Sequence, residues 1–130
     1  MSIQLQSRIP QITRSLEQRA AELVRDTAEG IVAHARQSMA ESKSGREYKR
    51  GKKGRNHIAS APGESPAIDS TNLENSLGAE HAGLVSTVGT NADYAMHLEF
   101  GTVKMEPRPF LEPAFEAAKP EFERGLKDLI

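Results

Sequence analysis

Apolar residues recur every three or four positions from Ile9 to about Met39. Ile12, Leu16, Leu23, Ile31, Ala35 and Met39 fall near one face, and Ala20, Val24 and Ala28 widen the stripe. Charged residues from Glu17 to Arg36 fill most of the remainder, so the pattern predicts one long amphipathic helix over 9–39. Pro10 suits its first turn, where a missing N–H costs nothing. Gly30 interrupts the pattern and weakens it by about 1 kcal/mol relative to alanine. A bend or a close helix contact would account for it, and so would plain tolerance.

Periodicity is lost over 40–69. "ESKSGREYKRGKKGRNHIASAPGESPAIDS" mixes Gly, Ser, Pro and charge and predicts a long loop. A loop of that length within a compact domain is expected to be functional or disordered. Next, "DSTNLENSL" presents Asp69, Ser70 and Thr71, with Glu74 three positions after Thr71. This capping-box pattern opens a short helix carrying Leu73 and Leu77. "GAEHAGLVSTVGTN" reads as a β-hairpin turning at Ala82-Gly83, with Leu84, Ser86 and Val88 on one face of its second strand and Val85 and Thr87 on the other. Asn91 and Asp93 offer a helix start, Tyr94 and Leu98 lie one turn apart, and Gly101 closes that short helix. After an extended "EPRP", residues 110–130 predict a C-terminal helix with the stripe Phe115, Phe122, Leu126 and Leu129. Pro120 is expected to kink or divide it. The expected fold is therefore α+β: a long N-terminal helix and a C-terminal helix packed on a small antiparallel β-sheet, with a long basic loop. One domain over 1–130 is expected, divided into the helix 9–39, the loop 40–69, and 70–130 with the sheet, short helix and C-terminal helix.

Composition narrows the chemistry. The 37% hydrophobic content and ten glycines together reach about 45% of the 130 residues, enough for one modest core. The absence of cysteine excludes disulfides, thiolate metal sites and thiol catalysis. The N-terminal stretch has no apolar core of signal-peptide length, and no apolar run approaches the roughly 20 residues that cross a bilayer. The chain is thus expected to be made in the cytosol, with no membrane partner. A net charge of −1 conceals an asymmetry: Lys43, Arg46, Lys49, Arg50, Lys52, Lys53 and Arg55 face only Glu47, a local charge of about +6. This density would bind nucleic acid through counterion release without reading sequence. Tyr48 is its lone aromatic, which leaves little to stack on single strands. A solubilising mobile loop and a docking arm for an acidic protein ring are the other readings.

No catalytic set is legible. His34, His57, His81 and His97 are scattered and make no helix-borne zinc pattern, so solvent-facing or hydrogen-bonded histidines are expected. "GTVK" at 101–104 lacks the leading glycine and the following Ser/Thr of a phosphate loop. No serine lies in a Gly-x-Ser-x-Gly elbow, and Glu121 and Glu123 read as a solvated helix face. Neither enzymatic activity nor a cofactor or metal is expected.

What stands out is "VGTNADYAMHLEFGTVKMEPRPFLEPAF". Gly89-Thr90, Tyr94-Ala95, Glu99-Phe100-Gly101-Thr102, Lys104-Met105, Arg108-Pro109-Phe110-Leu111 and Pro113-Ala114 occur here in the order of a known pattern. The stretch resembles the C-terminal signature of the tailed-phage tail-component family, the tail-completion or head–tail joining proteins of long-tailed phages and prophages. Upstream, "SAPGESPAIDSTNLENSL" is similar to the family's segment before the sheet. The resemblance covers about residues 59–118; Thr71-Asn72 departs from it, since family members often carry Gly after the Ser/Thr.

The resemblance implies a virion structural protein with no reaction. It would assemble as a ring around the DNA channel between head and tail, a hexamer by the usual tail symmetry. Its partners would be itself and the adjacent head-completion and tail-terminator or tail-tube proteins. Lys49, Arg50, Lys52, Lys53 and Arg55 are candidates for facing genomic DNA in the channel. Within the signature, where Leu111 is also a characteristic residue, Tyr94, Leu98 and Phe100 are expected to anchor the short helix to the sheet, Gly101 to permit the tight exit, and Phe100 and Phe110 to be core. Glu99, Lys104, Met105, Arg108 and Pro109 are expected at a protein interface, where Arg108 can grip a carboxylate with both arms and the prolines reduce the entropy lost on docking. The plain alternative is that Phe100, Met105, Phe110 and Leu111 are all core. The competing function is a free nucleic-acid-binding protein that uses Lys43 to Arg55, and a phage-derived regulator or toxin is more distant.

Overall fold

In the computed structural model, described in full for residues 1–41, 43, 45, 60–64, 66 and 73–130 and as backbone for 47–50, 55–58 and 72, the first element is the helix α1, Ile9–Ala40. A two-stranded ribbon, β1 (Glu47–Arg50) and β2 (Arg55–Ile58), follows it. Then come α2 (Asn72–Ser76), a second ribbon of β3 (Gly78–Ala82) and β4 (Val85–Gly89), α3 (Ala95–Phe100) and α4 (Leu111–Asp128). The predicted α+β architecture is present. Its sheet content is two separate antiparallel hairpins, with Glu47 opposite Ile58 and Gly78 opposite Gly89. The β1–β2 hairpin corrects the reading of 40–69 as one loop. Its polar, basic strands carry no apolar alternation, so periodicity could not reveal it. The capping residues Asp69, Ser70 and Thr71 lie outside the described residues, as do Lys52 and Lys53 and the side chains of Lys49, Arg50 and Arg55.

The core gathers where the elements converge. Ile31, Val32, Ala35 and Met39 of α1 meet Leu73 and Leu77 beside α2, Ala95 of α3, and Phe110 and Ala114 at the start of α4. Phe110 is its one large, fully enclosed side chain. Arg36 ties α1 to the end of α2: its guanidinium donates to the carbonyls of Glu74 at 3.3 Å and of Leu77, just past the helix, at 2.8 Å. Lys43 donates to the Ser38 carbonyl at 2.6 Å. Its pKa is lowered by burial, against the raising influence of Glu64 and Glu41.

The stripe on α1 divides into two parts. Its C-terminal half supplies the buried residues, whereas Ile9 and Ile12 stand in solvent and Leu16 is more than a third exposed. Length explains the division. α4 is shorter and ends beside Arg19, whose guanidinium reaches the Asp128 carbonyl at 3.4 Å. α4 is also one continuous helix, which corrects the expectation that Pro120 would divide it. The lost hydrogen bond is tolerated in a helix held along its length by packing on α1. That packing is close: a Cβ on Gly125 would come within 2.6 Å of Leu23 Cδ1.

The second hairpin lies against α1. The turn is Gly83-Leu84, one residue later than expected, since Ala82 pairs with Val85. Leu84 therefore belongs to the turn and is exposed, while Ser86 and Val88 share the less exposed face of β4 and Val85 and Thr87 the other. No helix among the described residues is long and apolar enough to cross a membrane.

Two glycines should respond oppositely to alanine. Gly101 has φ +76° and ψ 178°, a region open essentially to glycine alone, and an added Cβ would lie 2.8 Å from the Met105 carbonyl. Gly30 is helical, and its added Cβ meets nothing within 4 Å, so no close contact accounts for it. In urea unfolding, Gly101→Ala should lose at least about 2 kcal/mol, whereas Gly30→Ala should gain up to about 1 kcal/mol.

Candidate functional site: an apolar cleft beside a capped helix

The segment from α3 to α4 folds back on itself. Gly101 N–H donates to the His97 carbonyl at 2.8 Å and ends α3, and Thr102 and Met105 exchange backbone hydrogen bonds across a one-bridge turn. Arg108 N–H then returns to the Leu98 carbonyl at 2.6 Å, and Gly63 N–H reaches the Pro107 carbonyl at 3.0 Å. These contacts bring Glu99 under the first turn of α4. Its Oε2 accepts from the N–H groups of Phe110 at 2.9 Å and Leu111 at 3.1 Å, and its Oε1 from Glu112 at 2.8 Å. Phe110, at the N-cap position, offers no side-chain oxygen. A remote carboxylate thus satisfies the orphan N–H groups and meets the positive end of the helix dipole.

Glu99, expected at a protein interface, has both carboxylate oxygens bonded within the chain. Lys104 is exposed on the turn, while Met105, Arg108 and Pro109 are half-buried. The Arg108 Nε is buried without a hydrogen-bond partner. Phe100 is the clearest departure: it is 72% exposed, and neither it nor the 41%-exposed Tyr94 packs as a core anchor. Phe100 closes a helix only six residues long, five positions after the buried Ala95 and two after Leu98, which puts it on the face away from the core. Leu98 and Leu111, by contrast, pack against the core.

Phe100 instead lines a cleft of about 930 Å³ between α1, β4 and α4. Val24, Ala28 and Ile31 form the α1 wall. Phe115, Phe122 and Leu126 form the α4 wall, with Val88 of β4 between them. The three phenylalanines outside the core therefore all meet at this cleft. Its polar residues include Glu99, Glu112, Lys119 and Glu123, which make the rim acidic on balance. Sequence periodicity found Phe115, Phe122 and Leu126 as a stripe but assigned it to packing; only the position of Phe100 shows that one flank stays open.

A second polar constellation lies nearby. His81 on β3 contacts Ser86 Oγ at 2.7 Å through Nδ1 and Glu29 Oε1 at 2.8 Å through Nε2. The order carboxylate, imidazole, hydroxyl has the polarity of a nucleophile relay. Ser86, however, sits in regular register opposite His81, with no positive-φ turn presenting it. We read the contacts as a tether of the hairpin to α1. His34 and His97 are exposed, and no group of three or more candidate metal ligands occurs among the described residues.

Comparison of the chain with protein-family models, with curated proteins and with solved structures finds no match in any of the three.

If Glu99 holds the start of α4, Glu99→Ala should lower stability by about 1–2 kcal/mol. Phe100→Ala should change it by less than about 0.5 kcal/mol, because the ring contributes little to the core. Chemical denaturation of both variants checks the pair; a larger loss for Phe100→Ala would return Phe100 to the core.

Proposed function

We propose that this chain is a non-catalytic structural protein of the neck of a tailed phage or prophage, a tail-completion or head–tail joining component that works within the virion as a ring around the DNA channel. The observation that carries the reading is the open apolar cleft. Phe100, Phe115 and Leu126 are each more than a third exposed around one cavity, and contiguous apolar surface of this kind on a folded chain marks a site that another protein covers. An assembly component needs such a surface and no reactive group.

The resemblance of residues 59–118 to the tail-component family supports the same reading. Its characteristic residues have coherent physical roles here: Glu99 caps α4, Gly101 makes the turn, Phe110 fills the core, and Lys104 and Arg108 remain at or near the surface. Arg108 carries a guanidinium whose buried Nε finds no hydrogen-bond partner among the described residues. A carboxylate on a neighbouring head-completion or tail-terminator protein could engage its remaining donors. Free nucleic-acid binding through Lys43 to Arg55 is the alternative reading, and most of those side chains lie outside the described residues.

The test is to delete the gene from the phage or prophage that encodes it, induce, and image the particles by negative-stain electron microscopy. DNA-filled heads with separate or defective tails, rescued by adding back the purified chain, are expected. Arg108→Ala should rescue poorly while unfolding like the parent. Normal infectious virions after deletion would refute the neck role, and steeply salt-dependent DNA binding by the free chain would then favour the nucleic-acid reading.

A further inference from the structure

The helix α1 outruns the helix it packs on. At 1.5 Å per residue, its 32 residues extend about 48 Å and the 18 of α4 about 27 Å. The contact between Arg19 and Asp128 marks where α4 stops. Beyond it Ile9, Ile12 and Leu16 project at i, i+3 and i+7, with exposures of 70%, 58% and 37%. That spacing is the anchor pattern by which an amphipathic helix enters an apolar groove. The chain carries such a groove, and its own overhang cannot reach it: Val24 and Ile31 of the cleft wall belong to the same rigid helix as Ile9 and Ile12.

We propose that the α1 overhang of one copy seats in the α1–β4–α4 cleft of the next, with Ile9, Ile12 and Leu16 against Phe100, Phe115 and Leu126. The inference deepens the assembly role proposed above and rests on it. Charge selects this occupant. The overhang presents Arg8, Arg14 and Arg19 against the single acid Glu17, whereas the cleft rim carries Glu99, Glu112 and Glu123 against the single base Lys119. Two overhangs packed on each other would set like charges together, and the same holds for two clefts. The contact is therefore heterologous: each copy offers one surface and accepts the other, which generates a ring when the rotation closes and a filament when it does not.

The chain has no cysteine, so engineered thiols report the contact without background. Ile12→Cys and Phe115→Cys, each at an exposed position, are purified separately, mixed at high concentration and oxidised. The mixture should give disulfide-linked dimers at least tenfold above either variant alone, and the double variant should give a ladder of covalent oligomers. Dimers of Ile12→Cys alone at the yield of the mixture would overturn the proposal in favour of paired α1 helices. No excess in the mixture, with circular dichroism showing both variants folded, would also overturn it. Ile12→Asp separates this contact from the neck role. Failure to restore joining in the deletion strain is expected, and full restoration would sink the helix-in-cleft contact while leaving the neck role standing.

Discussion

The Glu99 carboxylate accepts hydrogen bonds from three successive backbone N–H groups at the start of α4, and much of the remaining arrangement follows from where that places the helix. α4 begins at a residue with no capping side chain, so without Glu99 its first turn would leave those donors to solvent. With it, Phe110 is set into the core and the stripe of Phe115, Phe122 and Leu126 is turned toward α1 and β4. The chain from Gly101 to Pro109 exists, in this view, to bring Glu99 and the helix start together. Gly101 supplies the turn that only glycine adopts there, and the Arg108–Leu98 hydrogen bond closes it.

The consequence is a fold whose apolar surface exceeds what its own elements cover. α4 reaches only part of the way along α1, which leaves Ile9 and Ile12 exposed although the turn Gly83-Leu84 lies beside Arg14 and Glu17, and the hairpin meets α1 without closing over α4. A monomer with this geometry leaves aromatic and aliphatic groups in water at two separate places, one convex and basic, the other concave and acidic. Their complementarity gives the assembly reading its physical content.

Much of this was legible in the residues. Regular spacing located α1 within a residue at each end, and Gly101 marked the end of α3. The hairpin and α4 were recognised by alternation and by stripe. What could not be read depended on distance. Glu99 looks like any surface acid until its partners, eleven to thirteen positions on, fold back over it. Phe100 looks like core until α3 sets it on the face away from Ala95 and Leu98, and the α1 stripe reads as uniformly buried until α4 proves shorter. Pro120, expected to kink or divide the helix, does not divide it. The β1–β2 ribbon was missed because EYKR and RNHI, with Tyr48 and Ile58 their only apolar residues, show no alternation.

Cryo-electron microscopy of the neck in particles from the encoding phage or prophage would test the account most directly. It predicts copies of this chain in a closed ring between head and tail, with protein covering Phe100, Phe115 and Leu126 of every copy. A neck without this chain, or one in which those three side chains face solvent, would contradict it.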